Sequence, residues 1–205
     1  MTRFAQDERH ALCDTFERVG PEAPTLCSPW LTRDLAAHLV VRERRPDAAA
    51  GILVPGLAGR TEQVQNEYAA WEWPRLVEKV RTGPPPWSPA SIGRVDEALN
   101  TAEFFVHHED VLRGGAGWTA RELPADLERA LWGIVSGMAR LRYSRSRVGV
   151  VLVAPGHGRR QAHAMTGLGT VVVKGTPGEL LLHSFGRRGV AKIDMSGPEE
   201  ALSAI

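Results

Sequence analysis

The spacing of apolar and polar positions divides the chain near residue 145 into a helical part and a strand-rich part. From about Arg3 to Val19, Phe4, Leu12, Phe16 and Val19 give much of one apolar face, and Gly20-Pro21 ends that first helix. Thr32 is placed to cap a second helix, with Asp34 in its first turn, which carries His38 and runs into Arg42-Glu43-Arg44-Arg45 before Pro46. A third helical stretch spans roughly Arg60 to Arg81 and must bend or restart near Pro74, because proline lacks the N–H needed there. Pro84-Pro85-Pro86-Trp87-Ser88-Pro89 then forces an extended connection. A helix follows from about Val95 to Arg113, stopped by Gly114-Gly115. Another runs from Pro124 to about Tyr143 with Leu127, Ala130, Leu131, Ile134 and Met138 on one face.

Beyond Arg147 the period changes. Val148, Val150, Val151, Leu152 and Val153 form a β-branched run, Gly156-His157-Gly158 a turn, and Gln161 to Thr166 a second strand, together predicting a hairpin. Thr170 to Val173 reads as a third strand. Thr176-Pro177-Gly178-Glu179 combines a capping box with proline at the first helical position and opens a short helix through Leu180, Leu181 and Leu182, closed by Gly186. A last strand around Val190–Ile193 and a helix from Pro198 complete the pattern. The expected fold class is α+β: a four-helix bundle over residues 1–145, then a small α/β domain over 146–205.

Composition narrows the function. With 43% hydrophobic and 24% charged residues the chain is an ordinary globular protein. A formal net charge of +1, with arginines scattered among acids, gives no global attraction to nucleic acid. No apolar run approaches the roughly 18–20 residues of a membrane span, and the N-terminus is too charged for a signal peptide, so a cytoplasmic location without a membrane partner is expected. Cys13 and Cys27 form no Cys-x-x-Cys pair and read as free thiols, Cys27 keeping a possible role as a metal ligand.

The segment from Asn100 to Asp110 carries the candidate chemistry. Glu103 and His107 lie four residues apart on one helix face, their Cβ atoms on the order of 6 Å apart, a span one metal ion can bridge. Two ligands are not a site. His38, set among apolar residues on the earlier helix, is the third candidate, giving a His/Glu/His set with room for water or substrate. Each residue also has a plainer reading: a Glu-x-x-x-His pair as a solvated face, His38 as a core histidine bonded to a neighbour. Asp34 could be that neighbour, or could fix the ring tautomer of a ligand from behind. His108 points about 100° away from His107, so His108, Glu109 and Asp110 read as flank or cap, although Asp110, three residues after His107, remains a candidate to support it. His10, His157, His163 and His183 are set aside as surface, loop or helix-end histidines. Gly156-His157-Gly158 and Gly167-Leu168-Gly169 lack the lysine and helix start of a phosphate loop.

The block Asp96-Glu-Ala-Leu-Asn100-Thr-Ala-Glu103-Phe-Phe-Val-His107-His-Glu-Asp110-Val-Leu-Arg113, with Gly117-Trp118 after it and Trp30-Leu-Thr-Arg-Asp34-Leu-Ala-Ala-His38-Leu before it, resembles the metal-binding domain of the mycothiol-dependent maleylpyruvate isomerase family, within the DinB-like four-helix bundles. The extended Asn-to-Asp block is similar to a subgroup of uncharacterised metal-binding proteins. Val171-Val-Val-Lys-Gly-Thr-Pro-Gly-Glu-Leu-Leu-Leu and Phe185-Gly-Arg187 resemble the small sterol-carrier-like domain often appended to that bundle. The resemblance implies a divalent metal, zinc, held by His38, Glu103 and His107. It also implies catalysis in which the thiol of mycothiol loses its proton at the metal and adds to an activated double bond. It further implies an arginine that holds a substrate carboxylate, for which Arg42 and Arg113 are nearest in sequence, either of them otherwise a surface charge or an acid's partner. Asn100 could orient Glu103 or a metal-bound water, or merely cap or face solvent.

The resulting expectation is a metal-binding enzyme, a mycothiol-dependent S-transferase or cis–trans isomerase, with a small thiol and a small electrophile as partners. The alternatives are a non-catalytic metal- or small-ligand-binding module and a metal-activated-water hydrolase, which would need a general base near the open position.

Overall fold

The computed structural model describes residues 4–49, 51, 54–85 and 94–205. Its helices precede a four-stranded sheet, giving the α+β class, and the chain forms two compact units, Met1–Thr119 and Ala120–Ile205. Most of the expected proline-rich connection lies outside the described residues.

The first unit contains α1 (Phe4–Val19), α2 (Thr32–Arg44), the short α3 (Pro46–Ala49), α4 (Ala58–Ala69), α5 (Trp73–Arg81) and α6 (Arg94–Leu112), with a main apolar core and a smaller cluster of Val41, Ala48 and Val64 that joins α2, α3 and α4. Leu12, Cys13 and Phe16 of α1 meet Leu35, Ala36, Leu39 and Val40 of α2, Leu76, Val77 and Val80 of α5, and Phe104 and Val111 of α6. The predicted third helix is two helices: α4 ends at Ala69 and α5 restarts with Pro74 in its first turn, where a missing N–H costs nothing. The start of α2 differs in detail. Thr32 is already helical and its hydroxyl donates to the Gly20 carbonyl, while the Asp34 carboxylate accepts from the Leu31 N–H at 2.9 Å, so Asp34 closes the helix end from inside.

Helix α6 is not the half-wet helix that amphipathic spacing describes. From Asn100 onward most of its residues are buried, including Asn100, Thr101, His107, His108, Glu109 and Asp110. Burial of so many polar groups requires partners for them. The expected flank or cap role of His108 and Glu109 is therefore corrected. His108 sits between Glu8 (3.2 Å) and Thr15 (2.9 Å) of α1, and Glu109 takes the Arg113 guanidinium at 2.6 Å. A second buried pair, Arg9 with Glu43, ties α1 to α2, with Arg9 lying 4.1 Å over the Phe104 ring. After α6 the chain turns at Gly114, where a Cβ would fall 2.2 Å from the Pro24 carbonyl oxygen. Only glycine allows that approach, which lays the 24–30 segment against the end of α6.

The second unit contains α7 (Ala125–Arg142), β1 (Gly149–Ala154), β2 (Gly158–His163), β3 (Thr170–Lys174), α8 (Pro177–Ser184), β4 (Asp194–Ser196) and α9 (Glu199–Ala204). Strand order is β2-β1-β3-β4, with β1 antiparallel to β2 (Leu152 opposite Arg160), parallel to β3 (Val150 opposite Val171), and β3 antiparallel to β4 (Val173 opposite Met195). Helix α7, which the sequence pattern grouped with the bundle, packs here against α8 and β2, so the division falls at 119/120 rather than near 145. Tyr143, just after α7, meets the His183 ring of α8 at 2.6 Å, and Arg142 donates to the Ser184 carbonyl.

Three local expectations shift. Strand β2 starts at Gly158 rather than Gln161, because Gly156, at φ 78°, completes the reversal early and an edge strand tolerates the charges of Arg159 and Arg160. The capping box at Thr176 does not form: Glu179 accepts from the Lys192 N–H at 2.7 Å instead. That bond diverts the backbone of 190–193 from the sheet, and the last strand forms at Asp194–Ser196.

Candidate metal centre

Two helices bring the three predicted ligands together. His38, buried on α2, directs Nε2 to 3.7 Å from Oε1 of Glu103 on α6; one turn on, His107 places its own Nε2 3.2 Å from the same oxygen. One ligand atom from each residue lies within 4.8 Å of those of the other two. Four donors at zinc distances of 2.0–2.1 Å stand about 3.3 Å from one another in a tetrahedron, and the two contacts to Glu103 bracket that value. Two imidazoles and one carboxylate are a donor set suited to zinc and leave a fourth position open. The residues present therefore fit a divalent cation.

The surroundings hold these groups in complementary states. Burial disfavours the Glu103 charge, but hydrogen bonds from His107 and His38 and the nearby Arg42 charge outweigh it, holding its pKa well below the usual carboxylate range. Burial likewise opposes a charge on His107, yet bonds to Asp110, Cys27 and Glu103 win and raise its pKa well above the ordinary value. For His38 burial dominates and the pKa falls, leaving the neutral ring. Trp30 packs beside His38, ring centroids 5.1 Å apart.

Of the two expected supporting acids, the structure brings one to a ligand. Asp110, fully buried, places Oδ2 2.9 Å from Nδ1 of His107, the ring edge opposite Glu103. This carboxylate–histidine contact fixes which nitrogen faces the centre. Asp34 instead bonds the Leu31 N–H. The candidate arginines also divide. Arg42 reaches Oε1 of Glu103 at 3.3 Å and donates to the Asn100 side-chain oxygen at 2.7 Å, so Asn100 and Arg42 act as a pair beside the centre. Arg113 is buried, bound to Glu109 and 4.6 Å over the Trp118 ring.

Cys27 adds a contact that sequence spacing left open: its Sγ donates to Oδ2 of Asp110 at 3.1 Å, and Cys27, Asp110 and His107 form a second close donor group. Cys13 stands apart in the core, its thiol pushed up to about 12 by burial. A cavity of about 490 Å³ opens on His38 between α2 and α4, lined also by Trp30, Asp34, Glu62, Gln65 and Asn66. Nothing in the spacing of the α4 residues signals that role.

No family model matches the chain, and no curated protein matches it. Among solved structures it is similar to the mycothiol-dependent maleylpyruvate isomerase, with TM-score 0.53 and 19% identity, and to a histidine-to-alanine mutant of that enzyme, with TM-score 0.59 and 16% identity; each match covers 96% of both chains. At these identities the likeness is one of fold, in agreement with the resemblance carried by the sequence motifs.

Proposed function

We propose that the chain is a zinc-dependent enzyme of small-thiol chemistry, transferring or isomerising a small electrophile with mycothiol as the thiol partner. The observation that carries this reading is the convergence of His38 Nε2, Glu103 Oε1 and His107 Nε2 at separations suited to one cation with a position left open. The names of the two structural neighbours supply the thiol and the reaction class.

A divalent cation held there would stabilise the thiolate of a bound thiol, and the thiolate is the nucleophile. The chain's own groups do the rest. Asp110 accepts a hydrogen bond from Nδ1–H of His107, which turns Nε2 toward Glu103, so that loss of the Nε2 proton leaves that nitrogen ready to bind a cation. Glu103 contributes a full negative charge. Arg42, held by Asn100, offsets that charge from the outer side and keeps the carboxylate in place. Two ligands from one helix and a third from another make a rigid, pre-organised set, which spares the reorganisation a flexible site would need.

For a water-activating hydrolase, the two acids nearest after His107 offer no general base. Glu109 is buried against Arg113, and Asp110 is committed to His107 and Cys27, so neither is free to act as general base at the open position.

Elemental analysis of the purified wild type beside His38→Ala and His107→Ala, followed by mycothiol titration of the zinc-loaded wild type, tests the proposal. The expected result is about one ion per chain, lost in both variants, with saturable thiol binding. Metal retained in both variants, or a wild type that binds no zinc, would overturn it.

A further inference from the structure

The cavity beside His38 has a chemical character of its own. Its described lining residues include two carboxylates, Asp34 and Glu62, and neither a lysine nor an arginine. An anion seated there would face like charge, with no lysine or arginine of the described lining to pair with it. Gln65 also lines it, its stem packed away and its amide, which makes no hydrogen bond to a described residue, open to the cavity. A side-chain amide facing a cavity offers two N–H donors and a carbonyl acceptor to whatever is seated there. Neighbouring Thr61 is already spent on the Ala48 carbonyl, so Gln65 and Asn66 hold the uncommitted amides of this wall. Trp30, its ring tilted against that of His38, adds an apolar face to the lining. An apolar wall with a few convergent polar groups is the usual make-up of a small-molecule site.

We infer that this cavity seats an uncharged ligand group bearing hydroxyls or amides and rejects carboxylates. Gln65 both donates to and accepts from such a group, Trp30 covers its carbon face, and Asp34 and Glu62 accept its remaining hydroxyl or amide protons. In the thiol-transfer reading this is the seat for the body of the thiol or of the electrophile, and only that assignment rests on the reading; the selectivity follows from the lining itself.

An isosteric pair tests it. Binding of succinamide and of succinate is measured by saturation-transfer NMR on chelator-treated protein, so that a cation at the neighbouring centre plays no part. The same titrations are run on Glu62→Lys, an exposed position that leaves the fold undisturbed, and on Gln65→Leu, which keeps the volume. Succinamide is expected to saturate and to bind at least about tenfold more tightly than succinate, the scale of one nearby like charge. Glu62→Lys should narrow or reverse that ratio, and Gln65→Leu should weaken succinamide. Succinate binding equal to succinamide, binding of neither, or a ratio indifferent to Glu62→Lys would overturn the inference. None of these results depends on zinc or on turnover, so failure here is distinct from failure of the metal-centre reading.

Discussion

Asp110 and Asp34 are both acids near a candidate ligand, and the structure gives them opposite consequences. Asp110 meets Nδ1 of His107 at 2.9 Å inside a fully buried site, whereas Asp34 meets only the Leu31 backbone at the start of α2. Replacing Asp110 by Asn keeps the volume but removes the charge that orients and strengthens His107. Loss of such a supporting carboxylate typically costs 10–100-fold in metal affinity, or about 1.4–2.7 kcal/mol. Asp34→Ala should leave zinc affinity within about twofold while lowering stability by about 1 kcal/mol, the cost of a lost helix-end bond. Zinc affinity is measured by competition against a chromophoric chelator, and stability by urea unfolding of the metal-free proteins. Full affinity in Asp110→Asn, or an equal loss in Asp34→Ala, would refute the assignment of Asp110 as the residue that positions His107.

Three other outcomes are expected. Glu43→Leu should destabilise the chain by about 3–5 kcal/mol because it strands the buried Arg9 charge, whereas Arg9→Met with Glu43→Leu should come back to near wild type in chemical unfolding. Gly114→Ala should cost about 1–3 kcal/mol, since the added methyl overlaps the Pro24 carbonyl, and should raise the thiol reactivity of the adjoining Cys27 segment. His183, whose pKa burial lowers to about 4, adds stability that is complete above the unfolded value near 6.5 and is lost as pH falls toward 4. The unfolded chain takes up the proton first, for a total of about 3 kcal/mol. Unfolding curves at about pH 7 and pH 4.5 should show most of that loss in the wild type and much less of it in His183→Phe.

The parts of the fold and site that were legible in the sequence are those written in local spacing. Glu103 and His107 share a face by helical period alone, and Pro74 announces the break between α4 and α5. What escaped depends on contacts distant in sequence. The Thr176–Glu179 pattern is a valid capping signal, but Lys192, thirteen residues beyond Glu179, outcompetes the cap for that carboxylate. His108 looks like a flank until α1 supplies Glu8 and Thr15. Helix α7 has an ordinary amphipathic face, and nothing in that face says whether another helix or a sheet will cover it. Cys27 lies 83 residues from the aspartate it meets, a separation that no spacing rule bridges.

The division of the three candidate ligands between two helices would make an ion bound there a reporter of assembly. Glu103 and His107 already stand one turn apart wherever α6 is helical, so that segment alone can offer a cation two donors. The third arrives only when α2 is seated beside it. Affinity should therefore rise in two steps during refolding, a weak one with helix formation and a strong one with docking of the bundle. Binding energy gained only in the second step would be energy that a bound cation returns to the folded first unit.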